Sequence, residues 1–476
     1  MNKLFVHYRK QLVGTLTYDT AEQTYSFDYS KDWIDHGFEV SPSMKFNTII
    51  TNSSIKSFVE NLLPEGNGLE ELSQFLQISK SNKYAMLKEI GLETTGALTF
   101  SDTADYLIKT NFREVPLDEL INRISNREYN DIKVWDNKPR LSVAGIQEKL
   151  PIIFLDNKFG FGEGDLCSTH IIKFNKKGEN VVLNEYISLR LAKRLGFNVT
   201  KVEYIKLGEE YVLFVERFDR NIINKSYIER THLIDSVQAL GLPVSFKYER
   251  NLSKNVPSHR EGVSFPKLFA LAQEAEIPAL FKEQIILFSM MNLIFGNSDA
   301  HGKNISFFVS NKGLRVAPFY DVVNVTMYDN YEQDMAMAID DEFEFRNLKE
   351  YDFTEFFELN EISTNDYFIE FKKLTIKLEN ALNKFDFIDE KIHSLEEKFI
   401  KKYKSNIIKR VNDISEIINR VNFNLPFDNE NGTDFITDNI KEVKKILAKD
   451  FIDGDDKGNM QRYIEKLKQK LIKKIH

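Results

Sequence analysis

The chain has one cysteine, Cys167, in 476 residues. No internal disulfide can form, and the chain suits a reducing compartment, so a cytoplasmic location is expected. It has no basic excess. The net charge of −8 argues against gripping nucleic acid with the whole surface. No run reaches the roughly 18 apolar residues of a membrane helix, and the N-terminus MNKLFVH lacks a signal-peptide core. Histidine is also scarce, with eight in all. His301 and Asp299 therefore fall short of the three or four ligands that a zinc site needs. What remains, 42% hydrophobic and 29% charged residues, is the composition of an ordinary globular protein. The length allows two or three domains, and no internal repeat or low-complexity tract stands out.

The first hundred residues read as a small separate unit. Short β-rich runs at 3–8, 12–18 and 24–29 suggest an antiparallel sheet. Apolar residues at helical spacing follow at 55–63 and 69–75, with Pro64 and Gly66 breaking between them. A further helix is expected at 83–90, stopped by Gly91. A polar connection from Ser101 holds a short helix at 117–124. Strands are then expected at 150–155, 169–174 and 210–214, with one helix at 184–195 crossing between them. From Arg220 the pattern turns helical, with a buried helix at 285–295, a hairpin at 305–310 and 314–317, and a Lys-, Glu- and Phe-rich helical tail after Tyr351. The boundaries expected are 1–105, 106–218, 219–430 and 431–476.

Within this frame the segment GNSDAHGKN at 296–304 spaces Asp299 and Asn304 five residues apart, and Asp321 follows across the hairpin. That layout resembles the catalytic loop and metal-binding aspartate of a protein kinase. D-x-x-x-x-N alone is common, and Asp299 could simply cap a turn. The hairpin and an acid leaving a strand at PFYD, 318–321, make the pattern more specific. Lys173 lies in an otherwise apolar strand, where an ammonium needs a partner such as phosphate, unless the strand is a solvated edge. Glu185, at the start of the crossing helix, is a candidate ion-pair partner, although an acid there also suits the helix dipole. Gly160-Phe-Gly162-Glu-Gly164 resembles a phosphate loop, but Glu163 and Asp165 repel phosphate, so an ordinary hairpin loop is the better reading. The stretch SVAGIQEK at 142–149 is the alternative, with small residues and two side-chain donors, Gln147 and Lys149. Glu216, Arg217 and Phe218 end a strand where a bilobed kinase has its hinge. His170 and Cys167 read as inert core or edge residues.

Taken together, LSVAGIQEK (141–149), STHIIK (168–173), NEY (184–186), VERFDR (215–220), QALGLP (238–243), KYE (247–249), GNSDAHGKN and PFYD resemble, in order, the HipA family of serine/threonine kinases. NLLPE (61–65) and GLETTGAL (91–98) extend the resemblance to the N-terminus. It covers about residues 1–330, and the tail beyond Asp340 departs from the pattern.

The resemblance implies an α+β, bilobed protein-kinase-like fold with a β-rich N-lobe, a helical C-lobe and a small N-terminal β/α subdomain. It implies ATP and Mg²⁺ as cofactors and Asp299 as catalytic base, with Asn304 and Asp321 binding the metal. The ATP site would comprise Ala144, Gly145, Ile146, Gln147, Glu148 and Lys149 on the phosphate side, Lys173 at the phosphates, and Glu216, Arg217 and Phe218 at the adenine. His301, Lys303, Asn304 and Asp321 would complete it. Ser142 matches the family's autophosphorylated serine, where phosphate adds roughly −1.5 to −2 charges and would pull the loop from the site. Family members act as toxins of toxin–antitoxin modules, phosphorylating aminoacyl-tRNA synthetases, and bind a helix-turn-helix antitoxin (HipB) that represses the operon. Such a chain would meet DNA only through the antitoxin. The C-terminal lysine cluster at 462–475 reads as a solvated helix face, and no membrane partner is expected. Two rival readings stay open: a catalytically silent corepressor that uses the fold as a docking surface, and a kinase of a small molecule.

Overall fold

The computed structural model describes residues 2–105, 109–140, 148–176, 178–251 and 260–423. Ser142, Ala144, Gly145, Ile146 and Gln147, and the tail segment 431–476, lie outside the described residues.

The N-terminal strands Asn2–Tyr8, Gln11–Asp19 and Thr24–Tyr29 form where short alternating runs were read. The sheet has a fourth strand, Leu98–Ser101, which pairs antiparallel to the first. Alternation turns Leu4 and Val6 inward, with Leu16 opposite Leu4, and Val13 joins them where a bulge shifts the register between Val6 and His7; all four are at most 2% exposed. Helices Asn52–Asn61, Gly66–Leu76 and Lys83–Ile90 cover it. Thr51 caps the first of these by accepting from the Ser54 amide, and Pro64 keeps the chain from continuing into the next. The apolar interior of this unit does not close on itself. It runs without a break into Ile234, Val237 and the core of the helical lobe.

The next element group is a six-stranded antiparallel sheet. Its order is Val202–Leu207, Glu210–Glu216, His170–Lys173, Lys149–Leu155, Lys158–Glu163, Asn111–Val115. Its own core holds Leu150, Ile152, Ile172, Val212 and Trp135, closed by helix Leu117–Ser125. The Gly160–Gly162 stretch, expected as a hairpin loop, is a strand of this sheet. The turn lies earlier, at Asp156 and Asn157, whose φ values of 51° and 59° suit a tight two-residue hairpin. A Cβ at Gly160 would stand 2.4 Å from the Phe112 ring, so glycine here allows close packing of the neighbouring strand rather than phosphate binding.

Helix Val181–Leu195 crosses one face of the sheet, and its C-terminal residues pack against the helical lobe. That lobe is built on helix Pro278–Phe295, which starts about two turns earlier than the apolar run suggested. Proline at its first position presets the turn, and the polar Lys282 and Glu283 hide its first two turns from an apolar-run reading. By length and composition this helix could cross a membrane. Here Phe281, Ile285, Phe288 and every residue from Met290 to Phe295 are buried in the lobe core. The three-stranded sheet Leu233–Asp235, Ser306–Ser310, Gly313–Val316 lies beside it. Helices Glu350–Leu359, Thr364–Lys384 and Glu397–Phe423 complete the far side.

Candidate active site

A cleft of about 970 Å³ opens between the six-stranded sheet and the helical lobe, lined among others by Lys173, Phe218, Asp299, Asn304 and Asp321. The helix Pro278–Phe295 delivers the first of its acids. Gly296, at φ 61°, ends that helix in the left-handed conformation that favours glycine. A Cβ there would lie 2.6 Å from Arg410 Nε and 2.8 Å from Thr326 Oγ1. The chain then turns through Asn297 and Ser298 and presents Asp299 to the cleft.

The loop behind Asp299 is tied to its own main chain. Asn304 Nδ2 donates to the Asp299 carbonyl at 2.8 Å, and the His301 and Asn304 amides close the tight turn between them. With its nitrogen so engaged, the Asn304 side chain has its carbonyl oxygen as the end that could take a cation. Tyr320 Oη donates to the Lys303 carbonyl at 2.7 Å, which fixes the far end of the loop. Asn297 Nδ2 reaches the Asp321 carbonyl at 3.4 Å and joins the two acidic segments. Asp321 itself has φ 58°, a left-handed backbone that aspartate tolerates better than most residues.

Lys173 meets the second acid. Its ammonium donates to Glu185 Oε1 and Oε2 at 2.7 and 2.9 Å and to Asp321 Oδ1 at 2.7 Å. Burial opposes the charge on Lys173, but these two carboxylates outweigh it and hold the ammonium protonated well above its ordinary range. Burial pushes the Glu185 carboxyl up to about 7 despite the pull of Lys173. Burial would raise Asp321 too, yet Lys173 and Lys149 hold it down at about 2. Asp299 is raised, first by desolvation, then by the Asp321 and Glu65 carboxylates, against the lowering effects of Tyr248 and Lys247.

These residues suit a nucleotide with a divalent cation. An aspartate and an amide carbonyl are the hard oxygen donors that Mg²⁺ takes, with further oxygens drawn from phosphates. Among the described residues no group of three or more His, Cys, Asp or Glu is arranged to hold a metal by itself. The cleft lining also includes the apolar Ile171, Val215, Phe218 and Val323, against which a planar base could lie.

Of the expected residues Glu148 misses the cleft, whereas Arg217, His301 and Lys303 line it with polar atoms already engaged. The Glu148 carboxylate lies on Arg127, 3.1 Å from Nε, outside the cleft lining. The Arg217 guanidinium turns into the interior, to Asp219 at 2.9 Å and Ser168 at 3.0 Å, so only its main chain can serve a hinge. His301 is buried, accepts from the Lys303 amide on Nδ1, and is driven down to about 3 by burial, so it stays neutral. The Lys303 ammonium is committed to Asn61 Oδ1 and Asp235 Oδ2, each at 2.9 Å.

That last contact exposes residues that sequence reasoning missed. Glu65 and Asn61 of the N-terminal unit reach under the catalytic loop. Glu65 Oε2 accepts from Lys247 at 2.8 Å, and Oε1 lies 3.6 Å from Lys303. Burial raises the Glu65 carboxyl, but Lys303 and Lys247 prevail and lower it. Tyr248 Oη donates to Asp299 Oδ1 at 2.5 Å. NLLPE and KYE were legible as motifs, but pairing Glu65 with Lys247 and Lys303 needs a long-range contact that spacing cannot supply.

A bilobed α+β fold with this cleft defines a protein-kinase-like molecule. The chain matches the HipA-like C-terminal domain over residues 141–381 and the HipA N-terminal domain over residues 4–101, and it belongs to the HipA family. It is 39% identical over 410 residues to the serine/threonine-protein kinase toxin HipA of Shewanella oneidensis, covering 86% of this chain and 94% of that one. A kinase-named relative of Sinorhizobium fredii, Y4mE, is 28% identical over 69% of this chain and 79% of its own. Among solved structures, the Shewanella oneidensis HipA, HipB and operator DNA complex superposes with a TM-score of 0.77 at 38% identity. That match covers 88% of this chain and 99% of that one.

Proposed function

We propose that this chain is an ATP- and Mg²⁺-dependent serine/threonine protein kinase acting as the toxin of a toxin–antitoxin module. The observation that carries the reading is the meeting of Lys173, Glu185, Asp299, Asn304 and Asp321, drawn from distant parts of the chain, around one cleft. A scaffold without catalysis has no need of this set, which favours an enzyme over a silent corepressor.

Bound Mg²⁺-ATP supplies the γ-phosphoryl group and leaves as ADP. Asp299 takes the proton of the acceptor hydroxyl. Asn304 and Asp321 are the residues that would hold the metal, and Lys173 would neutralise phosphate charge. The protein's contribution is positioning and fixed charge, as phosphoryl transfer requires. Glu216 and Phe218, with the Arg217 main chain, would meet the adenine edge.

The finer expectations belong to the same reading. The acceptor protein would be a translation component such as an aminoacyl-tRNA synthetase, and Ser142 would be the self-phosphorylated residue. The partner would be a HipB-like helix-turn-helix antitoxin that carries the DNA contact, in keeping with the relative solved with HipB and operator DNA.

Intact-mass analysis after incubation with Mg²⁺-ATP tests the reading. One added phosphoryl group is expected on the wild type, none on Asp299→Asn, and none on Ser142→Ala with ATP binding retained. Equal labelling of Asp299→Asn would refute the base assignment. Labelling of a metabolite but of no protein would favour the small-molecule reading.

A further inference from the structure

Tyr248 has no place in the assignments above, yet it makes the closest side-chain contact to the base. Its hydroxyl lies 2.5 Å from Asp299 Oδ1, and among the described residues no other hydrogen bond reaches that carboxylate. We infer that Tyr248 is a positioning residue: it pins one oxygen of Asp299 and turns the other toward the acceptor hydroxyl. This rests on the kinase reading.

A tyrosine so near the base could instead occupy the acceptor's place and have to leave before catalysis. Its anchorage argues for pinning. The ring stands edge-on to buried His301, with centroids 5.0 Å apart and planes at 89°. On one side Lys247 is tied twice, its carbonyl accepting from the Gly302 amide at 2.8 Å and its ammonium donating to Glu65 at 2.8 Å. On the other side the Glu249 amide donates to the Ala336 carbonyl at 2.8 Å, and its carboxylate accepts from the Ala338 amide at 2.9 Å. A plug that must swing away needs a loose end, and this segment is fastened at both. Asn304 meanwhile holds the Asp299 main chain at 2.8 Å. The main-chain carbonyl of the base thus has two fixed donors, the His301 amide and Asn304, and its side chain has one, which is how a carboxylate is kept in a reactive orientation.

The test uses the full chain with Tyr248→Phe, which keeps the ring and removes only the hydroxyl. Three quantities are read: self-labelling rate at saturating Mg²⁺-ATP, the ATP concentration at half that rate, and the melting temperature. A loss of about tenfold in rate is expected, with the half-saturating ATP concentration within about twofold and melting unchanged. An unchanged rate, or a faster one as a departing plug would give, overturns the assignment. So does a loss in which weaker ATP binding or lower melting accounts for the fall, because that is a structural role. A wild type that labels neither itself nor any protein overturns the kinase reading instead.

Discussion

The Lys173 ammonium stands 2.7 Å from Asp321 Oδ1 across 148 residues of chain, and it holds Glu185 at the same time. The Glu185 side chain is 1% exposed, and Lys173 is the cation that hydrogen-bonds both of its oxygens. Lys173→Met strands a buried carboxylate and is expected to cost about 3–5 kcal/mol. Asp321→Ala leaves the Lys173–Glu185 pair intact and costs less. Urea midpoints of the two variants check the order, and both are expected to lose labelling.

Glu65 sits between two ammonium groups of the catalytic lobe, with its side chain 10% exposed. Glu65→Ala leaves Lys247 buried without its carboxylate and is expected to destabilise the chain by about 3 kcal/mol. The Lys45–Glu274 bridge also joins the two units, but both of its side chains are more than a third exposed. Lys45→Ala is expected to cost no more than about 1 kcal/mol. Similar losses in chemical denaturation would refute the distinction.

Gly296 is the hinge on which Asp299 is presented. Alanine at φ 61° costs about 1 kcal/mol in backbone strain, and its Cβ would crowd Arg410 and Thr326. Gly296→Ala is expected to lower stability by about 1–2 kcal/mol. It should also slow labelling beyond what Tyr248→Phe does, because the main chain of the base shifts. Labelling at the wild-type rate would show that the turn tolerates the change.

His232 is buried against the Phe38–Val40 segment of the N-terminal unit, its Nε2 2.9 Å from the Val40 carbonyl, and burial lowers its imidazole to about 4. The unfolded chain takes up this proton near pH 6.5 and the folded chain only near pH 4. Between those values the unfolded state binds more protons, so stability falls as pH drops. At pH 5 the loss from this residue is about 2 kcal/mol. The gap between pH 7 and pH 5 denaturation midpoints is expected to shrink in His232→Gln. An unchanged gap would assign the sensitivity to other groups.

Much of the site was readable because its chemistry is local. Asp299, Asn304 and Asp321 fall in two short motifs, and Lys173 is conspicuous as a cation in an apolar strand. Glu185 could be named as its partner because one helix start lay in reach. What could not be read were interactions made by folding at a distance. Tyr248 looked like part of a motif without a role, and Lys303 was expected only as part of the ATP site, with no sign that Asn61 and Asp235 hold its ammonium. The Gly160–Gly162 strand was misjudged for a related reason. Its glycines answer to the Phe112 ring and Leu166 on neighbouring chain, and the actual turn, Asp156–Asn157, lacks glycine altogether.

The unbroken apolar interior shared by the N-terminal strands and the helical lobe has a genetic consequence. Damage to Leu4, Val13 or Leu16 would propagate into the body that carries Asp299, since both lean on one common mass of side chains. A selection for cells that survive overexpression would then recover lesions in the opening strands alongside lesions in the cleft, although no residue of those strands touches a reacting group.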